Sequence, residues 1–269
     1  MSRNQFLMLL AGGSAAAAAT LWYVARSRSR NVWPTPQKVR RVSVEERVMQ
    51  YGARVDTRLQ PAFQNAGVAY PPAEVALLAF KDTRVLELYA RGSFADDWRH
   101  IKTYAVCGAS GKPGPKLAEG DRQVPEGVYQ IALLNPCSRF HLSLKLNYPN
   151  AFDQRMGAAD GRTHLGSDIM IHGGAMSVGC LAMGDQVAED LFILAARTGK
   201  NNVRVVIAPA DFRQERPRLI MYEPRWVSML YASLHEELMQ FPQNAANGNY
   251  VFSANGDSKP IAIHATTMP

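Results

Sequence analysis

The sequence is poor in the residues that hold metal ions, and it shows none of the spacings that bind zinc. Only 3 of the 269 residues are cysteine and 6 are histidine. Neither Cys-x-x-Cys nor His-Glu-x-x-His occurs, and these are the arrangements through which cysteine and histidine ligate zinc. No internal repeat is present either, which argues against a repeat fold. We therefore predict a protein that needs no metal and no other cofactor.

Acidic residues are absent from the first 41 positions. The chain has 30 Lys and Arg against 23 Asp and Glu, a net charge of +7, and its pI is near 9.4. Seven of the bases lie before residue 42, so the other 23 are balanced by the 23 acids. The basic character belongs to an N-terminal flank and not to a domain surface. We therefore predict no nucleic-acid partner.

Charge is also missing from residues 6–25, a stretch of apolar and small residues. Its length is about what a helix needs to cross a bilayer. Two interpretations of residues 1–30 stay open, a membrane anchor and a secretory signal peptide with a small-residue cleavage region. The bases at Arg26, Arg28 and Arg30 favour, by the positive-inside rule, a cytoplasmic location for the rest of the chain.

The remaining sequence predicts one sizeable domain with extensions, in keeping with a hydrophobic content of 47%. Residues 31–72 form a proline-flanked linker with a helix near 44–59, and residues 211–269 carry a helix at 226–241 and a polar tail. Residues 73–210 form the main domain. Its apolar patterns predict strands at 75–80, 84–89, 101–107, 127–134, 140–146, 168–171 and 203–208, and a helix at 185–197.

The feature with most chemical content is the stretch from Ile171 to Met183, which holds a histidine, a thiol and three glycines. A cysteine attacks as thiolate, so its ordinary pKa of about 8.5 must be lowered, or its proton must be taken by a nearby base. His172 is the nearest candidate base for Cys180, and His164 is a weaker one. Buried cysteines and structural histidines are common, however, and each residue alone would be uninformative.

Glycine and serine around the thiol suggest how an oxyanion could be stabilised. Gly179 permits a sharp turn, after which the backbone N–H groups of Gly179 and Cys180 could converge on a developing negative charge. Gly173 and Ser177 are expected to shape the same loop, with the Ser177 hydroxyl orienting the loop or His172. This combination indicates acyl transfer.

These residues resemble the active-site signature of the L,D-transpeptidase (YkuD-type) catalytic domain family, in which a His-Gly and a Ser/Thr-x-Gly-Cys are fixed points. The short separation between them is similar to the YafK-like branch. Agreement extends to further segments, namely 84–89, 114–121, 125–129 and 147–153. The resemblance covers roughly residues 73–210. It implies a mainly β fold with α, a β-sandwich or barrel catalytic domain with flanking helices.

Two positions depart from the usual family pattern. Ala182 stands where an Arg usually follows the nucleophile, and Val178 stands where His often precedes the glycine. The YafK-like branch shares both features. The resemblance implies a cysteine-dependent enzyme acting on peptidoglycan stem peptides that contain diaminopimelate. Tyr148, Asp153 and Arg155 are then candidates for substrate binding, with core packing or loop anchoring as the equally open alternative for each.

The acceptor stays open, because an amine would make the enzyme a transpeptidase and water would make it a hydrolase. In the YafK-like branch the reaction resembles cleavage of the link between peptidoglycan and an attached lipoprotein, which makes that lipoprotein a possible partner. A catalytically inactive wall-binding module is a third interpretation. The substrate class implies an exported protein of the periplasm, held at the inner membrane by residues 6–25 if they are uncleaved. This conflicts with the positive-inside argument.

Two further groups of side chains each allow two interpretations. Cys107 and Cys137 could pair in an oxidising compartment, although their spacing does not establish a disulfide. Lys112, Lys116 and Arg122 could meet a substrate carboxylate, but solvated loop charges are the more common case.

Overall fold

The computed structural model of the chain describes residues 42–214, 224–243, 250–252 and 258–260. The helices are α1 Val44–Asn65, α2 Ala151–Ala159, α3 Asp185–Thr198 and α4 Val227–Leu238, with a 3-10 turn at Lys200–Asn202. The strands are β1 Glu74–Phe80, β2 Val85–Arg91, β3 Arg99–Ala105, β4 Gly108–Ala109, β5 Gly127–Ser138, β6 His141–Leu146, β7 Met170–His172, β8 Leu181–Ala182, β9 Val203–Ala208, β10 Tyr250–Phe252 and β11 Ser258–Pro260.

Nine strands form one mixed sheet in the order β3-β2-β1-β9-β5-β6-β7-β8-β4. The pairs β1–β9 and β7–β8 are parallel, and the other neighbours in this sheet run antiparallel. Strand β5 joins two parts of the sheet, since its first residues pair with β9 and its later residues with β6. The predicted fold class, mainly β with flanking helices, is confirmed.

The two faces of the central strands are covered by different helices. On one face, α1 and α3 contribute Leu59, Phe63 and Phe192 to the larger core cluster. On the other face, α4 contributes Tyr231 and Leu234 to a second cluster. Because both faces are covered, every residue of β1 is buried, as expected for a strand in the middle of a layered structure.

Helix α1 is longer than its sequence predicted. It starts at a capping box in which Ser43 and Glu46 bond each other's backbone N–H groups, a favourable N-terminus. The prediction ended at residue 59, whereas the helix continues through Pro61 to Asn65. Phe63 is fully buried in this last part, and its packing offsets the unfavourable effect of proline in a helix.

The helices predicted at 185–197 and 226–241 are present as α3 and α4. Helix α2 and the two-residue strands β4 and β8 were not predicted. Within the described ranges, no helix is long and apolar enough to cross a membrane. The predicted anchor or signal at residues 1–30 and the polar end after residue 260 lie outside the described residues.

Candidate active site

Two adjacent short strands bring the segments of the predicted base and nucleophile side by side. In the parallel pairing of β7 with β8, Ile171 lies opposite Leu181 and His172 opposite Ala182. His172 is the last residue of β7, and Cys180 immediately precedes β8. The two segments therefore meet through strand pairing and not through a shared turn.

His172 is held in one orientation and one tautomer. Its side chain is only 3% exposed, and the Phe140 ring stacks on the imidazole with 4.7 Å between ring centroids. Nδ1 lies 2.6 Å from the carbonyl oxygen of Gly173. A carbonyl only accepts, so Nδ1 carries the hydrogen, and Nε2 of the neutral ring is left with its lone pair. His172 is thus prepared to accept a proton at Nε2.

The thiol of Cys180 is partly buried and its surroundings favour the neutral form. Burial raises the pKa of Cys180, and the Asp168 charge adds to this, while a backbone hydrogen bond at Met170 and the Lys116 ammonium act in the opposite direction. The sulfur lies 3.7 Å from the carbonyl oxygen of Asp168. Of the two routes to a thiolate, a lowered pKa and transfer to a base, this environment favours the second.

The loop before Cys180 has a backbone that only glycine adopts readily. Gly179 has φ of 93°, and a side chain there would approach the Gln123 carbonyl oxygen at 3.4 Å. Gly173 leaves no space either, since a Cβ atom would lie 2.5 Å from Asp185 Oδ1 and 2.7 Å from the Phe140 carbonyl oxygen. The absence of a side chain at both glycines therefore lets the loop backbone approach Gln123, Phe140 and Asp185 closely.

The two N–H groups expected to form the oxyanion site are already hydrogen-bonded to serine hydroxyls. The N–H of Gly179 donates to Ser110 Oγ at 2.6 Å, and that of Cys180 donates to Ser177 Oγ at 3.1 Å. The Ser177 hydroxyl itself donates to the Cys180 carbonyl oxygen at 2.6 Å. The expected loop role of Ser177 is thus visible in its contacts, and Ser110 is a site residue that the sequence analysis did not identify.

Residues 110–126, which we call the 110–126 loop, reach the site through Ser110 and Lys116. Lys116 is buried, donates to the Ala118 carbonyl oxygen at 2.8 Å and forms an ion pair with Asp121. Lys112 and Arg122 are exposed. Of the three cations considered for the loop, the structure therefore brings Lys116 towards the thiol, where its charge acts on Cys180.

The three candidate substrate-binding residues have different surroundings. Tyr148 is buried and its hydroxyl donates to the Leu165 carbonyl oxygen at 2.9 Å. Asp153 completes a capping box with Asn150 at the start of α2, and burial raises its pKa to about 6. Arg155 is exposed on α2. Tyr148 and Asp153 thus anchor the segment, and Arg155 is the solvent-exposed member of the three.

The remaining candidates are one histidine and two cysteines. His164 is exposed, and its carbonyl oxygen accepts the Glu119 N–H at 2.9 Å. All three cysteines are free thiols, so the possible Cys107–Cys137 disulfide is not formed. Phe140, the ring that covers His172, was also missed, because it lies in the turn before β6, more than 30 positions before the histidine.

Comparison with known proteins identifies a family that the sequence matches. The family model described as the L,D-transpeptidase catalytic domain (YkuD) matches residues 75–207. YafK of Escherichia coli, a protein named as a candidate L,D-transpeptidase, is 29% identical over an alignment of 205 residues that covers 72% of this chain and 78% of YafK.

Solved structures show weaker similarity. A mutant form of Pgp2, a helical cell shape determining protein of Campylobacter jejuni, gives a TM-score of 0.39 at 19% identity, covering 62% of this chain and 54% of that one. This chain therefore spans about half of the length of that structure. L,D-transpeptidase 1 of Mycobacterium tuberculosis gives a TM-score of 0.30 at 11% identity, covering 50% and 62% of the two chains. From the sequence matches, this chain belongs, through residues 75–207, to the YkuD family of L,D-transpeptidase catalytic domains.

Proposed function

We propose that this protein transfers an acyl group from a peptidoglycan stem peptide to Cys180, with His172 as the base. The observation that carries the proposal is the hydrogen bond from Nδ1 of His172 to the Gly173 carbonyl oxygen at 2.6 Å. In the neutral imidazole this bond places the hydrogen on Nδ1 and leaves the lone pair on Nε2. A neutral thiol beside a base in the correct tautomer can be activated as the reaction begins.

The proposed reaction has two halves. Nε2 of His172 takes the thiol proton as sulfur forms a bond to the carbonyl carbon of an L,D-configured peptide bond. The tetrahedral intermediate then collapses, and the C–N bond breaks as His172 returns the proton to the leaving amine. A thioacyl-enzyme on Cys180 remains. An incoming amine, or water, attacks that thioester and loses its proton to His172, which releases the thiol.

The proposed donor is a tetrapeptide stem with diaminopimelate followed by D-alanine, as expected for the family. Arg155 is proposed to meet a polar end of the peptide, since it is the exposed member of the candidate set. Tyr148 and Asp153 contribute indirectly to substrate binding in this proposal, because they fix the segment that leads into α2. We further propose a periplasmic location, with residues 6–25 acting as export signal or inner-membrane anchor.

Mass spectrometry of muropeptides tests this function. The full-length protein is incubated with peptidoglycan that carries attached lipoprotein, alongside Cys180→Ala. Cys137→Ala serves as the matched control, because Cys137 is an exposed free thiol on another strand. We expect product formation by the wild type and by Cys137→Ala but not by Cys180→Ala.

The nature of the products separates the possible activities. New crosslinks or exchanged terminal D-amino acids that depend on Cys180 indicate a transpeptidase. Loss of the lipoprotein remnant without new crosslinks indicates the hydrolase. Unchanged muropeptides, together with binding to the wall, would contradict the catalytic proposal and favour a wall-binding module.

A further inference from the structure

The hydrogen bonds around Gly179 and Cys180 raise the question of which group stabilises the oxyanion. An oxyanion site needs donors whose hydrogens point at the developing charge. The N–H groups of Gly179 and Cys180 instead point at Ser110 Oγ, 2.6 Å away, and Ser177 Oγ, 3.1 Å away. With its amide bonded this closely, Gly179 is not available as a direct donor in this conformation.

The hydroxyl hydrogens of the two serines are used differently. Ser177 has one hydrogen, and it goes to the Cys180 carbonyl oxygen at 2.6 Å. In the contact between Ser110 Oγ and Ser177 Oγ, Ser110 would therefore have to be the donor. That contact is 3.4 Å long, well beyond the usual O–H···O distance of about 2.7–2.8 Å. Within residues 42–214 and 224–243, the Ser110 hydrogen thus has no short acceptor.

Hydrogen bonds place Ser110 beside the loop that carries the nucleophile. Strand β4 pairs with β8 on the side away from β7, with Gly108 opposite Ala182 and Ala109 opposite Leu181. Just past this pair, the Ser177 hydroxyl lies between the two segments and accepts the N–H groups of Ser110 at 3.4 Å and Cys180 at 3.1 Å. Ser110 therefore follows β4 directly and bonds the residue before Cys180 through its own hydroxyl.

We propose that the Ser110 hydroxyl is an oxyanion donor of this site and takes the place of the Gly179 amide. The Gly179 N–H donates to Ser110 Oγ, and the Ser110 O–H donates to the oxygen of the tetrahedral intermediate. As sulfur bonds to the carbonyl carbon, the π electrons move onto that oxygen, which then accepts the Ser110 hydrogen. A hydroxyl that accepts a hydrogen bond becomes a stronger donor. The Gly179 N–H therefore helps to stabilise the oxyanion indirectly, through the Ser110 hydroxyl.

This inference rests on the proposed function. Two reactions of Cys180, acylation and alkylation, show whether the role of Ser110 fails alone or the proposed function fails with it. Acylation by a purified disaccharide-tetrapeptide creates an oxyanion, whereas alkylation by iodoacetamide is a displacement at carbon that creates none. Both products can be followed by the intact mass of the full-length protein. The variants are Ser110→Ala, Ser110→Thr, which retains a hydroxyl, and Ser167→Ala as an exposed serine control.

We expect Ser110→Ala to lower the acylation rate by roughly 10²–10³, the usual effect of losing one oxyanion donor, with alkylation unchanged. Ser110→Thr should recover most of the acylation, and Ser167→Ala should behave as wild type. Equal losses of acylation and alkylation in Ser110→Ala would overturn the inference, because Ser110 would then only hold the loop. Unchanged acylation would overturn it as well. A wild-type protein whose Cys180 is never acylated would overturn both the inference and the proposed function.

Discussion

The two partners of the proposed reaction are held in opposite ways. His172 is buried, covered by the Phe140 ring and fixed by one bond to a neighbouring carbonyl. Cys180 follows a partly exposed loop whose shape depends on a glycine with positive φ and on two serine hydroxyls. The base thus depends on packing, and the nucleophile loop depends on hydrogen bonds. This suits their tasks, because a base needs one tautomer whereas a nucleophile needs an open approach.

The two sides of the site are also supported from different helices. On the base side, His141 follows Phe140 and its Nε2 lies 2.8 Å from Glu189 of α3, which also pairs with Arg54 of α1. On the loop side, Lys81 bonds the carbonyl oxygens of Gly114 and Val124. Lys81 also pairs with Glu126. The Glu126 carboxylate in turn accepts the Tyr231 hydroxyl of α4 at 3.0 Å.

The largest effect is expected from breaking the ion pair under the 110–126 loop. The side chains of Lys81 and Glu126 are 4% and 0% exposed. Lys81→Met leaves a buried carboxylate and two carbonyl groups without their cation, so the free energy of unfolding should fall by about 3–5 kcal/mol. Urea denaturation measures this. Lys145→Met is the control, since the Lys145–Asp168 pair is exposed and should contribute only about 0–1 kcal/mol. Similar losses in the two variants would contradict this account of the loop.

Gly179→Ala tests the loop conformation itself. An alanine with φ of 93° is strained by about 1–3 kcal/mol, and relaxation would move the Gly179 amide and the thiol. A shift of about 1 Å can cost roughly 10² in rate, and we expect acylation of Cys180 to fall by that factor.

Gly161→Ala is the matched control, because Gly161 has φ of 69° with no atom within 4 Å of an added Cβ. It should lose similar stability without loss of acylation. Equal rate losses in both glycine variants would mean that the rate reports general destabilisation.

Phe140→Ala tests the base side. It removes the ring stacked on His172, and such aromatic pairs contribute about 0.5–1.5 kcal/mol beyond their buried area. The acylation rate should therefore fall roughly 2–10-fold, while Phe140→Tyr should keep it. Rates from single-turnover mass spectrometry decide this. If Phe140→Ala lowered the acylation rate as much as Gly179→Ala does, the base side would depend on its surroundings as strongly as the nucleophile loop, which would contradict the distinction between them.

A further effect concerns pH and the segment that leads into α2. Burial raises the pKa of Asp153 from 3.8 to about 6, so the folded state binds this proton more tightly than the unfolded chain. Its contribution to stability is therefore greatest at low pH and is lost as pH rises from about 4 to about 6, with a slope of at most about 1.4 kcal/mol per pH unit. Urea denaturation of wild type and Asp153→Asn against pH should show a difference that changes within this window. A pH-independent difference would contradict the assignment.

Sequence patterns identified the parts of this molecule that depend on local order. Strand 203–208 and helix 185–197 follow from apolar periodicity, and the His-Gly and Gly-Cys dipeptides indicated the site. Helix α2 was missed even though Asn150 and Asp153 form its capping box, because the segment was interpreted as cleft lining. The role of Ser110 could not be predicted, since its contact with Gly179 joins residues 69 positions apart. Strands β4 and β8 create that contact, and two residues each are too few for a periodic signal.

The proposed reaction depends on the activation of Cys180 by His172 for attack on a stem peptide. The most direct test is acyl transfer from a disaccharide-tetrapeptide at pH 7, followed by intact mass and peptide mapping, in wild type, His172→Ala and Cys180→Ala. We expect one acyl group on Cys180 in the wild type, none in Cys180→Ala, and a rate lower by roughly 10²–10⁴ in His172→Ala, the usual contribution of a positioned base. An adduct on Cys107 or Cys137, or equal rates with and without His172, would contradict the account.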